Sequence, residues 1–214
     1  MGVPDDRAES RVSFETVDWR RRVFELYSEV RAIDDPAAAH AHWCTVRDDL
    51  FAHHPASAIL PAERAAFRGL PVAPYDPAWR FVVEVQDAAP SSFDFETGTD
   101  GLVTYVRLGV VEVPGAGTLD LWRHTGYGGG VFLPFRDTSR DTYGGGRYLL
   151  DTIKGADLDF DADAGTVVLD FNFAYNPSCA YDPAWACPLA PAGDRLAVPV
   201  PVGERYLSPA AHAG

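Results

Sequence analysis

The stretch GLPVAPYDP, Gly69 to Pro77, separates two hydrophobic periods, and that change constrains the fold more than any other feature. Before it, apolar residues recur at helical spacing. Trp19, Val23, Leu26, Tyr27, Val30 and Ile33 form one stripe, and Thr16 stands where an N-cap belongs. Asp35-Pro36 reads as the cap and first residue of a second helix. Ala39, Trp43, Val46 and Leu50 mark its buried side, and it must stop before Pro55. A third short helix is expected over Pro61 to Arg68, closed by Gly69.

After the linker the period becomes two. Trp79, Phe81, Val83 and Val85 alternate with polar neighbours, and Phe93 and Phe95 repeat the pattern. TGTDG, Thr97 to Gly101, offers hairpin chemistry before a long strand from Leu102 to Val113. Further strands are expected at Leu119–His124, Val131–Phe135, Arg147–Asp151, Leu158–Phe160 and Val167–Phe173, with Leu196–Val202 as an edge strand. Short strands without intervening helices predict a mainly β (α+β) protein. The expectation is an antiparallel β-sandwich or partly open barrel carrying an N-terminal layer of two to three helices. It forms a single domain over 1–214, with 1–12 a loose terminus, 16–68 the helical layer and 78–207 the β-rich body.

The net charge of −13 is spread along the chain, which disfavours nucleic acid and anionic membranes as partners. No apolar run is long enough for a spanning helix, and the polar N-terminus lacks a secretory core, so a cytoplasmic location is expected. Of 18 basic residues only Lys154 is lysine, a bias of GC-rich coding or of a salt-adapted acidic surface. Arg20, Arg21 and Arg22 read as a solvated face beside Glu25 and Glu29. Three cysteines argue against a disulfide framework, and Cys44 reads as a small buried residue.

Chemistry concentrates between Arg136 and Pro188. The glycine blocks at Gly126–Gly130 and Gly144–Gly146 precede no helix and carry no Gly-Lys-Ser/Thr, so they read as turns or bulges, and no cofactor is expected. Asp159, Asp161, Asp163 and Asp170 brush a calcium-loop spacing, but Ala164 stands where that loop needs glycine. No Ser/His/acid triad can be assembled. YDPAW occurs at Tyr75 and at Tyr181 and reads as turn initiation, with the tryptophan docking on the core. Asp170 and Asn172 are spaced to leave one face of a strand, with Phe171 and Phe173 on the other. Arg147, Tyr143, Tyr148, Asp137, Asp170, Asn172, Tyr175 and Asn176 therefore form either a buried network or a pocket in which Arg147 anchors a small anionic ligand. Cys179 and Cys187 match no zinc spacing and are read first as a buried or paired set of thiols, with no metal site assigned; a recruited metal and a reactive thiol are the lesser alternatives.

The segments FRDTSRDTYGGGRYL, LDFNFAYNPSCAYDPAWACPLAP and DRLAVPVPVGE resemble the DUF1684 family of bacterial and archaeal proteins. About 80 C-terminal residues match closely, and HHPAS and FRGLPV match more loosely upstream. The resemblance implies as characteristic residues Asp137, Thr142, Tyr143, Gly146, Arg147, Tyr148, Asp170, Asn172, Tyr175, Asn176, Cys179 and Cys187. Ser178 departs from a second proline, and Ser57-Ala58-Ile59-Leu60 departs from a Ser-Pro-Leu pattern. The family's activity is unassigned, so the resemblance implies a place for a site rather than a reaction. Three functions stay open: binding or acting on a small anionic ligand, a non-catalytic interaction role, and metal-assisted hydrolysis through a cysteine and a histidine.

Overall fold

In the computed structural model, which describes residues 6–97 and 101–206, two helices precede an antiparallel eight-stranded sheet curled into a half-barrel. Helix α1 (Asp6–Ala32) begins earlier than Thr16 and takes in part of the expected loose terminus. The apolar stripe marks only the docked turns. The first turns are polar and are held by an Arg11–Glu15 ion pair at 2.7 Å and by hydroxyl bonds to preceding carbonyls. Thr16 is one of these, donating to the Val12 carbonyl rather than capping. Arg22 pairs with Asp18 at 2.9 Å.

Helix α2 (Pro36–His53) starts as expected, the Asp35 carboxylate accepting from the Ala37 amide at 3.1 Å. Trp43 is fully buried and donates its indole N–H to Tyr27. The expected third helix is only a 3₁₀ turn, Arg64–Ala66. That segment has no buried face, and the Arg64 side chain donates to the carbonyls of Pro55, Ser57 and Ile59 instead.

The strands are β1 (Arg80–Gln86), β2 (Ser92–Thr97), β3 (Gly101–Val113), β4 (Gly117–His124), β5 (Val131–Phe135), β6 (Arg147–Asp151), β7 (Phe160–Asp161) and β8 (Thr166–Asp170). Their order is β6-β5-β4-β3-β1-β8-β7, with β2 also on β3. Thr97 pairs with Gly101, while the three residues between them lie outside the described set. Strand β3 changes partner from β2 to β1 at a bulge between Arg107 and Gly109. Only glycine fits there, because a Cβ on Gly109 would lie 2.6 Å from the Gln86 carbonyl oxygen.

The main core gathers Val111, Leu119, Leu133, Phe135, Leu169 and Phe171, and residues Leu196, Val200 and Val202 close over it. That C-terminal segment is extended but is not the expected edge strand. Pro199 and Pro201 lack N–H donors, and the chain bonds instead to loop residues 136–138. A second cluster joins Leu26, Tyr27 and Trp43 to Phe173. A third stacks Tyr105, Trp122, Phe132 and Tyr148 with Phe93. Both YDPAW segments form Asp-capped turns, but Trp79 packs on the core while Trp185 stays 47% exposed.

Candidate functional site

The residues singled out from the sequence do not form one pocket. They fall into three places. Asn172 lies beyond β8, in the 3₁₀ turn Phe171–Phe173 that Asp170 caps. Asp170 Oδ1 accepts from the Asn172 amide and from its Nδ2 at 2.7 Å. Asn172 in turn bridges both backbone groups of Asp76, and Arg80 lies 3.7 Å from Asp170. The two phenylalanines separate, Phe171 into the main core and Phe173 into the helical one. This is a satisfied network that fixes the turn.

Tyr148, Tyr175 and Asn176 line a cavity of about 90 Å³ between the helices and the sheet. Arg47, absent from the sequence reading, lies there too. Its NH2 donates to Glu204 at 2.9 Å, and its guanidinium sits 4.3 Å from the Trp43 ring centroid. The Arg47 NH1 and Asn176 Oδ1 atoms have no protein partner, and the cavity has room for about three waters to serve them. The helical spacing of Trp43, Arg47 and Leu50 was the available signal.

Asp137, Tyr143 and Arg147 line a third place, a polar groove of about 200 Å³ shared with Ser139, Arg136 and Arg195. Arg147 is its floor rather than a free anchor. NH2 meets Asp137 Oδ2 at 2.5 Å and the Val200 carbonyl at 3.2 Å, and NH1 donates to the Val202 and Glu204 carbonyls. Its ion-pair partner is thus Asp137, not Asp170. Burial pushes the Arg147 pKa down, and the Asp137 charge opposes the shift. Asp137 also receives the Ser139 and Val200 amides, so the pair ties the loop to the C-terminal segment.

Arg136 and Arg195 are a different case. A parallel bridge sets them opposite one another, with Arg136 N donating to Asp194 O and Leu196 N to Arg136 O. Among the described residues neither side chain has a carboxylate partner, and Arg136 Nε is buried without a hydrogen bond. Like charges directly opposite across a bridge repel. Nothing local to either arginine in the sequence marks this pairing.

At the groove's edge the Tyr143 hydroxyl lies 3.6 Å from Cys179 Sγ, and the Cys179 amide lies 3.4 Å from Cys187 Sγ. All three cysteines are free thiols. No group of three or more His, Cys, Asp or Glu side chains among the described residues is arranged to hold a metal ion, so the hydrolase reading has no ligand set. The calcium spacing is explained by turn closure, since Asp161 Oδ1 accepts from the Asp163 and Ala164 amides. A larger hollow of about 360 Å³ is lined mainly by apolar residues including Leu121, Val131 and Leu150. Among the described residues no helix is long and apolar enough to cross a membrane.

Helices on a curled antiparallel half-barrel, with an arginine-lined groove beside a thiol pair, define the class of protein. The family model described as "Protein of unknown function (DUF1684)" matches residues 65–205, and the chain belongs to that family. It is similar to the solution NMR structure of an uncharacterised protein of Haloarcula marismortui, with 34% identity, a TM-score of 0.54, and coverage of 76% of this chain and 89% of that one. No curated protein matches.

Proposed function

We propose that this protein binds a small anionic ligand, a carboxylate or phosphate, in the groove between the loop 136–146 and the C-terminal segment. The carrying observation is the registered pair Arg136 and Arg195, without carboxylate partners in a chain of net charge −13 and next to the Arg147 floor. An anion between them would relieve their repulsion and give the buried Arg136 Nε an acceptor. Gly144 borders the groove with open space where a Cβ would stand, so backbone can approach the ligand. Calorimetry with inorganic phosphate, citrate and acetate tests the reading, with choline as a cationic control. Anions are expected to bind, and Arg136→Gln or Arg195→Gln to weaken them about tenfold or more, while Arg123→Gln on β4 does not. Failure of all three anions, or unchanged affinity in both groove variants, overturns it.

A second reading, protein–protein contact through α1, has its own observation. Phe14, Val17 and Phe24 are 74%, 44% and 48% exposed; Phe24 lies partly against Gly155, and Phe14 borders a hollow shared with His53 and His54 of α2. Concentration-dependent association abolished by Phe14→Asp would support it, and a monomer at all concentrations would remove self-association through this face.

A further inference from the structure

Cys179 and Cys187 lie outside the anion reading, and their placement suits chemistry. Cys179 sits in the 3₁₀ turn Ser178–Ala180, and Cys187 returns beside it after the Tyr181–Ala186 turn. The Cys179 amide donates to Cys187 Sγ at 3.4 Å, which sets the two cysteines side by side. Both residues are partly exposed, as a thiol that meets a peroxide must be; Cys44, expected to be buried, is partly exposed as well and differs in its neighbours. The Tyr143 hydroxyl donates to Cys179 Sγ at 3.6 Å, and the Lys154 charge, itself paired with Asp151, adds a lesser pull toward the thiolate.

Cys44 is the internal contrast. It packs in the helical layer 3.8 Å from His40 Nε2, and burial pushes its thiol up to about 11. Cys179 moves the other way, down to about 6, chiefly through the hydrogen bond from Cys187 and against a desolvation cost. Cys187 is pushed well up by the same bond and by burial. The Tyr143 hydroxyl, which donates to Cys179 Sγ, marks that sulfur as the one to carry negative charge, and the lowered Cys179 pKa agrees with it.

We propose that Cys179 and Cys187 form a peroxide-reactive dithiol, with Cys179 as the attacking and Cys187 as the resolving residue. The Cys179 thiolate attacks the distal oxygen of a hydroperoxide. The O–O bond breaks, the alkoxide or hydroxide leaves and takes up a proton, and Cys179 becomes a sulfenic acid. Cys187 sulfur then attacks the Cys179 sulfur, displacing hydroxide, which leaves as water with the Cys187 proton. The sum is two thiols and one hydroperoxide giving one disulfide, one alcohol or water, and one water. Both sulfurs are oxidised and the peroxide is reduced. Both cysteines sit outside any strand ladder, so the local shift that closes a disulfide of roughly 2.05 Å breaks no sheet hydrogen bond.

The full chain, reduced and freed of reductant, is treated with equimolar hydrogen peroxide, then unfolded in urea and alkylated, and read by intact mass and peptide mapping. The expected product has lost two hydrogens, carries one alkyl group, on Cys44, and yields a peptide crosslinked between Cys179 and Cys187. In Cys187→Ser the sulfenic acid at Cys179 is expected to accumulate and be captured by dimedone. In Cys179→Ser oxidation is expected to slow about tenfold or more. Thermal melts of each variant establish that it is folded, and a variant that does not fold is replaced by the alanine substitution at that position. Oxidation of Cys179 no faster than of Cys44, crosslinks only between molecules, or no dimedone adduct in folded Cys187→Ser would overturn the proposal. None of these readouts depends on anion binding, so this inference and the groove reading fail separately.

Discussion

Asp137 Oδ2 and Arg147 NH2 lie 2.5 Å apart with both side chains only 1% exposed, and the pair holds the C-terminal segment against the sheet. Removing either partner leaves a buried charge without its counterion. Asp137→Asn and Arg147→Ala are each expected to cost about 3–5 kcal/mol. The check is the urea midpoint, together with hydrogen exchange at the Leu196 amide, which donates to the carbonyl of Arg136. A loss under about 1 kcal/mol in both variants would mean the pair is not the clamp described.

Glu204 does comparable work between the layers. It is fully buried and accepts from Arg47 at 2.9 Å, from the Asn176 amide and side chain, and from the Tyr181 hydroxyl. Arg47 belongs to α2, so this carboxylate ties the helical layer to the end of the chain. Glu204→Gln keeps the shape but strands the Arg47 charge, at an expected cost of about 3–5 kcal/mol. Amide exchange in α2 should rise relative to that in β4. Equal protection of both elements in the variant would refute the tie.

The helices and strands were legible because burial leaves a period in the sequence. Phe81, Val83 and Val85 pack on the main core where alternation placed them, and the DUF1684 motifs located the groove loop. What alternation could not supply was the partner. Leu196, Val200 and Val202 are buried at even spacing, yet their segment bonds to a loop rather than to a strand. The choice between a buried network and a pocket stayed open in the sequence for the same reason. Arg147 stands among turn glycines and tyrosines and drew attention, but its pairing with Asp137 is a tertiary fact. Arg136 and Arg195 become neighbours only when the C-terminal segment returns beside the loop. Arg47 was closer to legible, since a charge at helical spacing from Trp43 marks an arginine on a buried face.

Asp194 should make stability depend on pH in the direction opposite to most carboxylates. It is fully buried, accepting from the Trp122 indole at 2.7 Å and from the Asp120 amide, and burial raises its pKa to about 6. Because the folded value lies above that of the unfolded chain, the native state holds this proton more tightly. Its contribution is present below about pH 4 and is lost as pH rises through about 6. Asp194→Asn removes the titration. Asparagine also replaces one acceptor oxygen by a donor, so the variant is destabilised at every pH. Its deficit relative to the parent should shrink by roughly 2–3 kcal/mol between about pH 4 and pH 7. Paired urea titrations at the two pH values measure it, and a deficit that grows with pH would contradict the sign.

The thiol pair yields a kinetic prediction that needs no peroxide. Alkylation proceeds through the thiolate, so the rate at Cys179 should follow its ionisation, with a midpoint near pH 6. The groups facing that sulfur are the Cys187 thiol, the Tyr143 hydroxyl and the Lys154 ammonium. The Cys187 hydrogen bond is the largest cause of the depression, so Cys187→Ala should move the midpoint up toward the ordinary cysteine value of about 8.5. Tyr143→Phe removes one lesser donor and should move it less. Cys44, partly exposed but pushed up to about 11 by burial, should label far more slowly across this range. Iodoacetamide labelling from about pH 5 to about pH 9, read by peptide mass, separates the sites. A midpoint for Cys179 in the ordinary range, unmoved by Cys187→Ala, would show that the two sulfurs do not share a proton, because only that shared hydrogen bond couples the ionisation of one to the presence of the other.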